Sequence, residues 1–117
     1  MTRSIDELLA ANLHGVFGER DEAARRDTAA GLYTDDVRFT DPEGTVVGRE
    51  AVLTKAAALL EGAPGLVFAD AGPVYSAGDR FALAWTLGPS GAEPVARGID
   101  VVTVVDGRIS AVLTLLA

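Results

Sequence analysis

Apolar residues recur at helical spacing in the first half of this chain and alternate with polar ones in the second. Ile5, Leu8, Leu9, Leu13, Val16 and Phe17 share one face of a helix. Ser4 followed by Glu7 gives that helix a capping-box start, and Gly18 marks its end. A second, charged helix is expected from Asp21 to Leu32, reaching Tyr33, with Gly31 weakening its last turn. Val37 and Phe39, alternating with Arg38 and Thr40, predict a short strand that stops at the turn Asp41-Pro42-Glu43-Gly44. Gly48 opens a third helix whose buried stripe is Val52, Leu53, Ala56, Leu59, Leu60 and Ala63, and Gly62 and Pro64 stop it.

Only strands are expected beyond that point. Leu66 to Ser76, Phe81 to Leu87, Val95 to Val105 and Ile109 to Leu116 are β-rich, separated by turns at Ala77-Gly78-Asp79, Gly88-Pro89-Ser90-Gly91 and Asp106-Gly107. The Asp-Gly pair is the strongest hairpin signal. Helices followed by an antiparallel meander make an α+β fold, with one sheet face packed on the helices. The other face needs cover, which suggests a homodimer.

At 117 residues the chain is one domain, 1–117. Its 49% hydrophobic and 23% charged residues describe a folded globular protein. A formal charge of −7 repels phosphate backbones and anionic lipid, so neither nucleic acid nor membrane is an expected partner. The absence of cysteine excludes disulfides, thiolate nucleophiles and zinc–thiolate sites, and one histidine excludes sites built of several imidazoles. The opening residues Met1 to Glu7 turn acidic too early for a signal peptide, and no apolar run reaches membrane-span length. The expected compartment is the cytoplasm. No phosphate loop, dinucleotide fingerprint, nucleophile elbow or metal-ligand spacing occurs, so no cofactor or metal is expected.

Asp100 stands out because it interrupts an apolar strand, a position where aspartate is depleted. Alternation puts it on one face with Ala96, Gly98, Val102 and Val104, and puts Arg97 on the other with Ile99 and Val101. A carboxyl on an apolar face loses hydration, so its pKa should rise until it can donate a hydrogen bond. Alternatively, it faces a dimer seam and meets a backbone amide or a distant arginine. Asp41 is the second candidate. It follows Val37 and Phe39 inward at a strand end, and the proline after it holds it extended, as a positioned base requires. The alternative is a plain turn-forming aspartate. His14 lies off the apolar stripe, either solvated or packed on the second helix. Trp85 reads as core whose indole N–H would need a partner. Arg49 most simply reaches nearby carboxylates, while Glu50 suits the start of the third helix.

Three segments carry a family resemblance: Leu32-Tyr33-Thr34-Asp35-Asp36-Val37-Arg38-Phe39-Thr40-Asp41-Pro42, Gly48-Arg49-Glu50-Ala51-Val52, and Gly98-Ile99-Asp100-Val101-Val102 leading into Asp106-Gly107-Arg108-Ile109. The chain resembles the ketosteroid isomerase and SnoaL-like polyketide cyclase branch of the nuclear transport factor 2-like superfamily, over nearly its whole length. The resemblance implies a cone: three helices wrapped by a strongly curved mixed or antiparallel sheet around an apolar pocket, usually paired through the outer sheet face. It also implies that Asp41 shuttles a proton next to a ketone and that Asp100 donates to the enolate oxygen. The isomerases' helix-one tyrosine has no equivalent, because the matching positions hold Phe17 or Leu13. Losing one oxyanion donor costs about two to three orders of magnitude in rate, which argues against steroid isomerisation as such. The uncharged strand Phe81 to Leu87 argues against the epoxide hydrolases of this fold, which use an Asp-Arg-Asp arrangement.

The expectation is therefore a cofactor-independent acid/base enzyme of isomerase, cyclase or dehydratase type, acting on a small hydrophobic carbonyl compound. Asp41 and Asp100 would be catalytic, and Leu13, Phe17, Trp85, Val102, Val112 and Leu116 would line the pocket. The alternative is a non-catalytic binding module for an apolar ligand, or a dimerisation scaffold.

Overall fold

The computed structural model describes residues 3–117, so Met1 and Thr2, where the expected leaderless N-terminus begins, lie outside the described residues. The first helix starts as α1, Ile5–Ala10, and its capping box is complete: Ser4 N–H donates to Glu7 Oε1 at 2.8 Å and Glu7 N–H to Ser4 Oγ at 3.2 Å. It continues as a wider π-helical segment, Ala11–Phe17. Across the two segments it buries three pairs: Leu8 and Leu9, Asn12 and Leu13, Val16 and Phe17. Gly15 lets α2, Glu22–Leu32, approach closely, since a β-carbon there would sit 2.9 Å from Thr28 Cγ2. The third helix, α3, spans Arg49–Glu61. Its C-terminal end is tied down by Arg20, whose guanidinium donates to the carbonyls of Leu60, Ala63 and Leu66.

The sheet comprises β1 Tyr33–Asp41, β2 Gly44–Val47, β3 Leu66–Asp70, β4 Tyr75–Ala77, β5 Arg80–Pro89, β6 Ala96–Val105 and β7 Arg108–Leu116. Its order is β2-β1-β7-β6-β5-β3, with β4 also on β5. The expected meander is present, but β7 then pairs in parallel with β1, so the sheet is mixed. The first strand starts at Tyr33, earlier than the Val37–Thr40 alternation suggested: Tyr33 pairs with Ile109 of β7, and Arg49 Nη2 donates to its carbonyl at 2.8 Å. Unforeseen from the pattern, β2 folds back on β1 across the Asp-Pro-Glu-Gly turn. The expected Leu66–Ser76 strand divides at Ala71–Val74, where Pro73 has no N–H for the ladder. The hairpin between β6 and β7 turns on Asp106 and Gly107, both at positive φ, 51° and 77°.

Helices and sheet enclose one apolar core, with Leu9, Val16, Val37, Val52, Val102 and Ile109 essentially sealed from solvent. The outer sheet face is different: Ile99 faces Leu115 and Val101 faces Leu113 across β6 and β7, and Ile99, Leu113 and Leu115 remain exposed. Among the described residues no helix is long and apolar enough to cross a membrane.

Candidate active site

A cavity of about 90 Å³ opens between the first helix and the concave sheet face. Leu13 and Phe17 come from the π-helical segment, Phe39 from β1, Phe68 from β3, and Trp85 and Leu116 from β5 and β7. Aromatic pairing stiffens the wall, with Phe17 stacked on Phe39 and Phe68 edge-on to Trp85, each pair at 5.2 Å between ring centres. Three polar side chains interrupt this lining: Asp41, Asp100 and Thr114. The cavity thus brings both sequence-nominated acids together.

Asp100 is 6% exposed and lies inside the cone, on the face that alternation assigned to it. Its Oδ1 accepts from the Trp85 indole at 3.0 Å and from Thr114 Oγ1 at 2.9 Å, and its Oδ2 accepts from Asn12 Nδ2 at 3.2 Å. Trp85 reaches it because Gly98, opposite Trp85 in the β5–β6 register, has no side chain. A β-carbon there would come within 2.4 Å of the indole. Burial pushes the Asp100 carboxyl above the ordinary 3.8, with the Thr114 and Trp85 hydrogen bonds opposing it. Neither the backbone amide nor the arginine of the alternative reading is its partner; among the described residues no cation lies within 4.0 Å of it.

Asp41 occupies the end of β1 beside the Pro42 turn, with its side chain 17% exposed. The turn-forming role and the inward placement coexist: Oδ1 accepts from Glu43 N–H at 2.9 Å, and Lys55 Nζ stands 3.2 Å from Oδ2. Lys55 also holds Glu43 at 2.6 Å, so α3 contributes a cation beside the base position. The two acids therefore sit in unlike surroundings. One is buried among neutral donors, the other ion-paired near solvent.

Of the six expected lining residues, Leu13, Phe17, Trp85 and Leu116 border the cavity. Val102 and Val112 do not, because neighbouring core side chains cover them completely. His14 is at the surface, 2.7 Å from Asp70 on β3 rather than packed on α2. Arg49 does reach a carboxylate, Asp35, at 2.7 Å, while Glu50 pairs with Arg26. Sequence reasoning missed Asn12, Thr114, Lys55 and the hydroxyl of Tyr33. Asn12 was visible in principle, since it completes the 8/9, 12/13, 16/17 pairing. Among the described residues no group of three or more His, Cys, Asp or Glu side chains could hold a metal ion.

The SnoaL-like domain profile matches residues 12–112, a span that includes every polar residue on Asp100 except Thr114. The chain belongs to the SnoaL-like domain family. Among solved structures, this SnoaL-like chain is similar to an Agrobacterium tumefaciens protein provisionally named an isomerase of the SnoaL-like family. That match has 26% identity, covers 94% of each chain and has a TM-score of 0.86. A Jannaschia protein provisionally named a SnoaL-like polyketide cyclase matches at 20% identity over 99% of this chain and 90% of its own, with a TM-score of 0.76. An NTF2-like protein of unknown function from Exiguobacterium matches at 20% identity over 94% and 98%, with a TM-score of 0.74. These two share the fold. No curated protein matches the chain.

Proposed function

We propose that this SnoaL-like domain is a cofactor-independent proton-transfer enzyme for a small hydrophobic carbonyl compound. The observation that supports it is the pairing of two carboxyls of opposite character on one apolar cavity. Asp41, as carboxylate, takes a proton from the carbon next to the carbonyl and can return it to the same or a neighbouring carbon. Asp100, in its protonated form, donates to the oxygen on which enolate charge develops. Apolar walls exclude water from that charge, which strengthens the hydrogen bond. Isomerisation, aldol-type cyclisation and dehydration all pass through this enolate. A cavity of about 90 Å³ favours a small ring or short chain over a steroid, since drug-sized ligands occupy roughly 300–1,000 Å³.

One observation favours a second reading, a binding module that turns nothing over. Asp41 already accepts from Glu43 N–H on Oδ1 and pairs with Lys55 through Oδ2, so both of its oxygens are engaged before any ligand arrives. Deuterium exchange into cyclopentanone and cyclohexanone, followed by proton NMR in D2O, separates the two. The enzyme reading expects protein-catalysed exchange next to the carbonyl, reduced about 10²–10⁴-fold by Asp41→Asn and about 10²–10³-fold by Asp100→Asn. Ketone binding without exchange would establish the binding module instead.

A further inference from the structure

Asn12 and Tyr33 are fully buried polar residues that the proton transfer above does not use. They form a chain behind Asp100: Tyr33 Oη donates to Asn12 Oδ1 at 2.6 Å, and Asn12 Nδ2 donates to Asp100 Oδ2 at 3.2 Å. We propose that Tyr33 and Asn12 are positioning residues which, by fixing the direction of this chain, leave Asp100 a single site for its proton. The proposal rests on the proton-transfer reading of the same cavity.

The argument starts at the phenol. Among the described residues, Asn12 Oδ1 is the one hydrogen-bond partner of the Tyr33 hydroxyl. Burial, and then the charge of Asp100, push Tyr33 well above its ordinary 10.0, so it keeps its proton and remains a donor. A buried donor with one neighbour must find an acceptor there. That requirement turns the amide oxygen of Asn12 toward Tyr33 and its NH2 toward Asp100. In the reverse orientation the phenol proton would be orphaned, and the Asn12 oxygen would face Asp100 Oδ2 and take its proton.

The consequence lies in the carboxyl's acceptor positions. A carboxylate offers about four lone-pair positions. Trp85 and Thr114 occupy the two on Oδ1, and the Asn12 NH2 occupies one on Oδ2. A proton on Asp100 is left with the remaining Oδ2 position, and Asp100 itself borders the cavity. Without Tyr33, the amide is free to flip and the proton can turn inward to Asn12. The groups facing Asp100 are Asn12 from the first helix, Trp85 from β5 and Thr114 from β7, with Tyr33 of β1 behind Asn12 and Asp41 on the same cavity wall. No cation within 4.0 Å competes, among the described residues.

The test is a carboxyl titration by NMR on protein labelled with ¹³C-aspartate, with Asp100 assigned from its missing signal in Asp100→Asn. Tyr33→Phe keeps the ring and removes the donor, and its Asp100 midpoint should rise by about one pH unit, because the flipped amide now accepts the proton. In an Asn12→Ala background, Tyr33→Phe should cause no further shift. A folded Tyr33→Phe protein with an unchanged midpoint overturns the proposal, as does an equal shift in the Asn12→Ala background. The unsubstituted protein provides an independent check: the ¹⁵N and ¹H signals of the Asn12 NH2 should move with the Asp100 midpoint. Signals that stay still through that titration also overturn it. Neither readout needs ketone turnover, so failure of the enzyme reading would show separately, in the exchange assay.

Discussion

The indole of Trp85 donates its N–H to Asp100 Oδ1 at 3.0 Å, across the register that sets Trp85 over Gly98. Trp85 is the single tryptophan of the chain, so its emission reports on the ionisation of this one carboxyl. A pH titration of tryptophan fluorescence should show a transition above 3.8, the direction in which burial moves Asp100. Asp100→Asn should abolish it. A transition at or below 3.8, or one that survives the substitution, would mean that the indole senses another group.

Gly98 makes that contact possible. A β-carbon there would meet Trp85 at 2.4 Å and the Leu115 carbonyl at 2.7 Å, one a rigid ring and the other backbone. Gly98→Ala should therefore destabilise the protein by about 3 kcal/mol, the upper part of the range for overpacking, and should shift the tryptophan emission maximum. Urea denaturation followed by circular dichroism measures the first effect and fluorescence the second. An unchanged midpoint would mean that β6 can move away from the ring freely.

The buried carboxyl also makes stability depend on pH. Asp100 is raised in the folded state, so the folded protein holds its proton more tightly than the unfolded chain. The stabilisation is fully present below 3.8 and is lost as pH rises through the folded value. Asp100→Asn removes the titration, so the variant's melting temperature relative to the parent's should climb across that window and level off above it. The slope cannot exceed about 1.4 kcal/mol per pH unit for one group. A difference between the two proteins that is flat from pH 3 to 8 would contradict the shift.

How much of this was legible beforehand depends on which interactions are local. The capping box at Ser4 and Glu7, the Asp-Gly hairpin and the third helix between Gly48 and Gly62 were readable, because each is decided by residues a few positions apart. The inward face of Asp100 also followed from strand alternation alone. What was hidden is long-range. The parallel pairing of β7 with β1 joins segments some seventy residues apart, and Asn12 meets Asp100 across 88 positions. Lys55 was equally unreadable, since its role arises only when α3 packs beside the Asp41 turn. Val102 and Val112 share an inward face with the cavity residues, but alternation does not tell a cavity wall from filled core.

The outer sheet face invites a second copy, with Ile99, Leu113 and Leu115 exposed on adjacent strands. We expect the protein to sediment as a dimer and Leu113→Glu to shift it to monomer with its fold retained. Sedimentation velocity decides this, and a monomeric parent protein at high micromolar concentration would contradict it.

The most direct test of paired acids acting on one ligand is a double-substitution cycle on cyclohexanone exchange in D2O. Groups that serve one transition state behave as a unit, and their losses do not simply multiply. We predict that Asp41→Asn and Asp100→Asn each slow exchange at least about 100-fold, and that the double variant is no slower than the slower single one. Four proteins exchanging at the same rate, within about twofold, would contradict the account.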